Sequence, residues 1–210
     1  MRDALAAGLG VLGIRADGDA QISLSAYLAL LEKWNRTHNL TAIIERERMI
    51  THHVLDSLSV LSHLPAVADA RIADVGSGGG LPGIPLAVCR RDWRVTLIES
   101  SRKKAAFLAQ AAIELPLSNV DVVAERVERY RPPVAFDIAI SRAYASLASF
   151  ATQARHLIVP GGWLAAMKGV YPRDEIAALP SEVSVTEVVA LHVPGIRAQR
   201  HLVLMQSASS

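Results

Sequence analysis

The apolar positions of the first 64 residues recur at helical spacing. Ile22, Tyr27, Leu28, Leu30, Leu31 and Trp34 form one stripe. They predict a helix capped by Ser23 or Ser25 and ended by the poor helix formers from Asn35 to Asn39. A second stripe, Met49, Ile50, Val54, Leu55, Leu58 and Leu61, predicts a helix over 45–63. From Arg71 the pattern changes. Apolar runs over 71–75, 94–98, 120–123, 136–140 and 163–167 read as strands. Segments over 81–91, 146–157 and from a Ser100 or Ser101 cap to about 114 read as helices, and Pro160-Gly161-Gly162 as a turn. Two β-rich runs, 183–193 and 201–205, enclose a Pro194-Gly195 loop and predict an antiparallel pair. Strand–helix alternation predicts a doubly wound α/β sheet with right-handed crossovers. The expected organisation is a helical extension over 1–65 packed on the core, an α/β domain over 66–206 and a flexible tail at 207–210.

Composition narrows this little. With 51% hydrophobic and 20% charged residues, the chain has too much apolar side chain for disorder. The formal net charge of +2 does not announce a nucleic-acid binder. The 22 basic residues include four lysines, Lys33, Lys103, Lys104 and Lys168. Arginine suits phosphate contacts and base stacking, but a GC-biased genome explains the same usage. Cys89 is the single cysteine, so an intrachain disulfide is excluded; it reads as a buried core thiol in a reducing compartment. The N-terminus lacks a signal-peptide pattern and no uncharged apolar stretch reaches 18 residues, so a cytoplasmic protein without membrane partners is expected.

The chemistry centres on Asp74-Val75-Gly76-Ser77-Gly78-Gly79-Gly80-Leu81-Pro82-Gly83, between a predicted strand and a predicted helix. Glycines there let the backbone turn and approach a ligand, and ligands of open α/β sheets bind at strand carboxyl ends. Two parses stand. Asp74-x-Gly76-x-Gly78-x-Gly80 suits S-adenosylmethionine (SAM), whereas Gly78-x-Gly80-x-x-Gly83 fits a dinucleotide loop of an NAD-dependent oxidoreductase. Glu99, ending the next strand, suits an adenosine ribose in either parse. Asp74 favours SAM, because a carboxylate there helps hold a cationic amino-acid ligand and repels a pyrophosphate. A nucleotide-triphosphate loop is excluded, since Gly83 precedes Ile84-Pro85 instead of Lys-Ser/Thr.

Further motifs accompany the loop: Lys33-Trp34-Asn35 with Asn39-Leu40-Thr41, His53-Val54-Leu55-Asp56-Ser57-Leu58, Leu81-Pro82-Gly83-Ile84-Pro85, Arg126-Val127-Glu128, Ile140-Ser141-Arg142-Ala143, Lys168-Gly169 and Arg200-His201-Leu202-Val203. With them the chain resembles, from about Tyr27 to Met205, the bacterial 16S rRNA guanine-N7 methyltransferases of the glucose-inhibited division protein B family. The resemblance implies a class I SAM-dependent fold, Rossmann-like, with a seven-stranded, mostly parallel sheet, an antiparallel last strand and a helical N-terminal extension. It implies methyl transfer from SAM to N7 of a guanine in the 530 loop of 16S rRNA, with 16S rRNA or the 30S subunit as partner and no metal. It implies cofactor contacts at Gly76, Leu81, Val127, Glu128 and Arg142, to which Gly78 and Glu99 are added here. The family often has Thr-Gly-Pro-Gly inside the loop where this chain has Ser77-Gly78-Gly79-Gly80. A monomer is expected, and a non-catalytic SAM-binding ribosome-assembly factor is the alternative.

Guanine N7 carries a lone pair and no proton at neutral pH, so it attacks the SAM methyl without a general base. No catalytic residue is therefore assigned; Arg142 is a positioning candidate, with an ion pair to Asp137 or Glu99 as its structural alternative. In paired A-form RNA the N7 edge lies in a groove too narrow for side chains, so the target must be unpaired or exposed. Lys168, Arg197 and Arg200 are the RNA-contact candidates, while Arg102-Lys103-Lys104 reads as a solvated helix start. His53 and Asp56, three residues apart, are expected to share a structural hydrogen bond, and Trp34 to anchor the N-terminal helices. The seven histidines have no zinc-ligand spacing.

Overall fold

A computed structural model describes residues 2–207. The N-terminal segment forms α1 (Arg2–Val11), α2 (Gly18–His38), α3 (Arg46–Met49), a π-helical turn (Ile50–Leu55) and α4 (Asp56–Leu58). The sheet and its crossovers follow as β1 (Arg71–Val75), α5 (Gly83–Cys89), β2 (Arg94–Ile98), α6 (Arg102–Glu114), β3 (Val120–Val123), β4 (Phe136–Arg142), α7 (Leu147–Ala154), β5 (Ile158–Lys168), α8 (Arg173–Ala177), β6 (Val183–Ala190) and β7 (His201–Ser207). Strand order is β3-β2-β1-β4-β5-β7-β6. The first five strands are mutually parallel, and β7 runs antiparallel to both β5 and β6. This insertion departs from the 3-2-1-4-5-6 order of dinucleotide folds, so the topology favours the SAM parse of the glycine loop.

The chain departs from the sequence pattern at five places. Helix α2 starts at Gly18, not at Ser23 or Ser25, because Asp17 Oδ1 accepts the Ala20 N–H at 2.7 Å. The expected helix over 45–63 stops at Leu58 and contains the π-helical turn. From His53 to Val60 every residue is buried, because this segment packs on α1 and α5. A single amphipathic stripe does not describe a helix enclosed on all sides. Strand β5 absorbs the expected turn: Gly161 takes φ +75° beside a register irregularity, so the chain bulges without leaving the sheet. Helix α8 has no counterpart in the expected elements. Ser207 ends β7, so the expected tail at 207–210 starts inside a strand; its remainder lies outside the described residues.

Apolar side chains form two clusters. One contains Leu5, Leu9, Tyr27, Leu31, Met49 and Val54 together with Ile72, Val95, Leu97 and Ile138, so segment 1–65 and one sheet face share a core. Trp34 joins it against Phe107 of α6, with ring centroids 5.7 Å apart. The other cluster lies under α7, around Ala139, Phe150, Leu164 and Val203. Among the described residues no helix is long and apolar enough to cross a membrane.

Candidate functional site

Strand order reverses between β1 and β4, and this opens a crevice at the carboxyl ends of the strands. Two cavities occupy it. The glycine cavity, about 390 Å³, lies over the ends of β1, β2 and β3 and is lined by Gly76, Ser100, Val127, Glu128, Tyr144 and Gln153 among others. The arginine cavity, about 440 Å³, lies over the ends of β4 and β5; His52, His53, Asp56, Arg142, Lys168 and Arg200 line it. Both fall in the size range of small-ligand sites. Four consecutive residues join them: Arg142 and Ala143 line the arginine cavity, Tyr144 and Ala145 the glycine cavity. Ala143 takes φ +66° at this crossing, a strained conformation for a residue with a Cβ.

The loop glycines divide into two kinds. A Cβ on Gly76 would meet nothing within 4 Å, and φ is +71°, so the backbone here is both left-handed and open to the cavity. A Cβ on Gly83 would lie 2.6 Å from Asp74 Oδ2 and against Leu97. Gly83 therefore serves the close packing of α5 on β1 and β2, and Gly76 faces ligand space. Leu81 is buried in the core and lines neither cavity, nor does Gly78.

Two carboxylates hold this loop. Glu99 accepts the Gly78 N–H at 2.9 Å through one oxygen and the Ser101 N–H at 2.7 Å through the other. It is buried, and it ties the glycine loop to the start of α6. Ser101 thus begins α6 with its amide bonded to Glu99 and makes no side-chain cap. Asp74 corrects an expectation. It is fully buried, lines neither cavity and accepts the Gly83 N–H at 3.0 Å, so it holds α5 against the loop. Burial pushes its pKa up to about 7, against the opposing hydrogen bond from Gly83.

Tyr144, Ser149 and Gln153 were missed as lining residues. The Tyr144 hydroxyl donates to Gln153 Oε1, and burial followed by Glu128 raises the phenol pKa, so it stays a donor. Their signal in the sequence is the helical spacing of Ser149 and Gln153 on α7, four residues apart. Val127 and Glu128 do line the glycine cavity, with Val127 buried. Cys89 lies in α5, half-buried; burial raises its thiol to about 12, which leaves it protonated.

In the arginine cavity Asp56 replaces the expected partners of Arg142. Arg142 Nη1 donates to Asp56 Oδ2 at 3.2 Å and to the His52 carbonyl at 2.9 Å. Asp137 instead accepts the backbone N–H of Arg71. Arg200 Nε donates to Asp56 Oδ1 at 3.1 Å. His53 does not bond Asp56; its Nε2 is hydrogen-bonded to Thr41 Oγ1 at 2.8 Å. Burial, and after it the Arg142 charge, lower its pKa to about 4, so the imidazole is neutral. Lys168 pairs with Glu175 at 2.7 Å and is mostly enclosed. His201 Nδ1–H donates to the Gly169 carbonyl at 2.8 Å. Arg197 is exposed in the loop before β7 and lines neither cavity. The structure thus brings Arg142, Lys168 and Arg200 together and leaves Arg197 outside. A wall of guanidinium and ammonium donors suits phosphate or base acceptor oxygens.

A family profile described as rRNA small subunit methyltransferase G matches residues 20–203. A ribosomal RNA small subunit methyltransferase G of Laribacter hongkongensis is 52% identical over 203 residues, covering 97% of each chain. One of Neisseria meningitidis serogroup A is 50% identical over 204 residues, again covering 97% of each. Among solved structures, a SAM-dependent methyltransferase from Aquifex aeolicus superposes with a TM-score of 0.59 at 16% identity, covering 85% of this chain and 97% of that one. At that identity the likeness shows the fold.

Proposed function

Since the chain belongs to the rRNA small subunit methyltransferase G family, we propose that it transfers a methyl group from SAM to N7 of a guanine in the 530 loop of 16S rRNA. The observation that carries this reading is the pair of cavities set back to back across Arg142, Ala143, Tyr144 and Ala145. One has the make-up of an adenosyl site, the other that of a nucleotide site.

The residues of the glycine cavity fit SAM. Gly76 leaves open space beside its backbone, Ile98 and Val127 offer apolar surface to an adenine, and Ser100, Glu128, Ser149 and Gln153 offer polar edges. Gly78 and Leu81 contribute through the backbone of the same loop. Glu99 is buried and is not a lining residue; it uses one lone pair of each oxygen on an amide, which leaves a second on each for a ribose hydroxyl. Bound SAM supplies a methyl on a cationic sulfur, ready for attack by a lone pair. The target N7 needs no base, so the protein's share of the catalysis is alignment, an effect worth on the order of 7–11 kcal/mol when geometry is near ideal. Arg142, at the crossing, holds guanine O6 or a phosphate. Lys168 and Arg200 extend that donor wall, and Arg197 meets RNA backbone further out. The substrate is 16S rRNA, free or in the 30S subunit, and the chain acts as a monomer.

The test is to incubate the protein with labelled SAM and 30S subunits lacking the modification, then map the label. Label at the 530-loop guanine is expected; label elsewhere, or none with free rRNA and subunits alike, overturns the reading.

A further inference from the structure

We propose that Asp56 is a positioning residue that gathers Arg142 and Arg200 onto one wall of the arginine cavity and holds them ready for the target nucleotide. This rests on the reading of that cavity as the nucleotide site.

The three side chains come from three distant parts of the chain: the first turn of α4, the end of β4 and the loop before β7. Asp56 is 6% exposed, and each of its oxygens takes one guanidinium. Two partly enclosed guanidinium groups repel each other unless an anion stands between them. Asp56 supplies that anion, and it leaves donors unspent. Arg142 uses only Nη1, on Asp56 and on the His52 carbonyl. Arg200 uses Nε on Asp56 and Nη1 on the Gln199 carbonyl. Among the described residues no hydrogen bond engages Arg142 Nε and Nη2 or Arg200 Nη2. The arginine side chains keep 22% and 24% of their surface exposed, on the cavity that both line. An ion-pair cluster serving stability alone has no need to leave donors unspent on side chains that line a cavity.

The π-helical turn delivers Asp56 to this place. It ends at Leu55, immediately before Asp56, and its His52 carbonyl is the second acceptor for Arg142. Such turns recur at functional sites. Across the cavity, a Cβ on Gly195 would lie 2.8 Å from Thr51 Cγ2, so the loop that carries Arg200 closes directly on the turn. Both arginines are thus set by the N-terminal segment and not by the sheet alone.

The experiment compares Asp56→Asn, which removes the charge, with Asp56→Glu, which keeps it but displaces both guanidinium groups by a methylene. Single-turnover and steady-state methylation of 30S subunits are measured, with kcat normalised to the SAM-binding fraction from calorimetry. For both variants the expected result is a SAM Kd within about twofold of wild type, kcat at least tenfold lower and KM for the subunit raised. Asp56→Asn added to the pair Arg142→Ala and Arg200→Ala should be little worse than those two arginine substitutions alone. Wild-type kcat per SAM-competent molecule in either variant, with only a lower melting temperature, overturns the proposal. A further loss from Asp56→Asn in that triple variant overturns it as well. If Asp56→Asn does not fold, the Asp56→Glu comparison decides. A wild-type protein inactive on rRNA and subunits overturns the functional reading itself, a result distinct from any of these.

Discussion

The buried hydroxyl of Tyr27 in α2 donates a 2.5 Å hydrogen bond to the backbone carbonyl of Gly79, in the middle of the glycine loop. Leu31 and Leu40 of the N-terminal segment close on the same glycine. The helical segment is therefore part of the wall that shapes the glycine loop. Tyr27→Phe keeps the packing and leaves a buried carbonyl without its partner, a loss of about 1–3 kcal/mol. Denaturant unfolding should show that loss. Calorimetry should show SAM binding weakened several-fold, because the loop loses a fixed point; unchanged affinity would separate the two.

The two kinds of loop glycine predict two kinds of failure. Gly76→Ala adds a methyl where space is open, at a left-handed position that costs about 1–2 kcal/mol. It should fold, melt slightly lower and lose SAM affinity by tenfold or more. Gly83→Ala drives a methyl into Asp74 and Leu97, so stability should fall by about 1–3 kcal/mol or more. Its SAM binding should recover wherever the protein remains folded. Melting curves with and without SAM distinguish the pair.

Asp74 and His53 give opposing pH slopes. The Asp74 carboxyl rises from 3.8 to about 7 on folding, so between these values the native state holds the extra proton and stability falls as pH rises. The His53 ring drops from 6.5 to about 4, so across that window the unfolded state holds the extra proton and stability rises with pH. Between roughly pH 4 and 6.5 the two largely offset. Asp74→Asn should unmask a rise of up to about 1 kcal/mol per pH unit there, and His53→Asn a comparable fall. Urea unfolding at half-unit pH steps reads both slopes; a wild-type profile in either variant contradicts the assignment.

Arg197 is exposed and outside both cavities, which suits a contact with RNA backbone alone. Arg197→Gln should weaken binding of the 30S subunit or rRNA without altering SAM affinity. It should also make the slope of log affinity against log salt shallower by about one. An unchanged slope removes Arg197 from the interface.

The glycine cavity was legible in the sequence where its parts are local: Gly76, Val127 and Glu128 line it, whereas Gly78, Leu81 and Glu99 do not. Asp74 to Gly83 lies within one strand–turn–helix unit, and Glu99 and Val127 each follow the end of an adjacent strand. Composition and spacing did not tell a ligand-facing carboxylate from a buried one, so Asp74 was misread: both stand two residues before a glycine, and only the approach of Gly83 decides. The arginine cavity was less legible. Arg142 was found as a strand-end residue, but its partner Asp56 is 86 residues away and Arg200 meets that same acid across 144. Sequence neighbours such as Asp137 compete on paper and lose in space, since Asp137 is held by the Arg71 amide. The π-helical turn was hidden because Met49, Ile50, Val54 and Leu55 fit an ordinary helical stripe equally well.

Strand β7 sits between β5 and β6, so β6 is hydrogen-bonded to the rest of the sheet only through it. Any opening along the β5 edge would therefore carry β6 and β7 together as one ribbon, with Arg197, Arg200 and His201. Hydrogen exchange should report this ribbon as a separate cooperative unit, opening at lower free energy than β1, β2 and β4. When it opens, the arginine cavity loses a wall while the glycine cavity keeps all of its own. Such an opening would uncouple the two: on the proposed reading, the site for the methyl donor stays formed while the site for RNA is still being assembled.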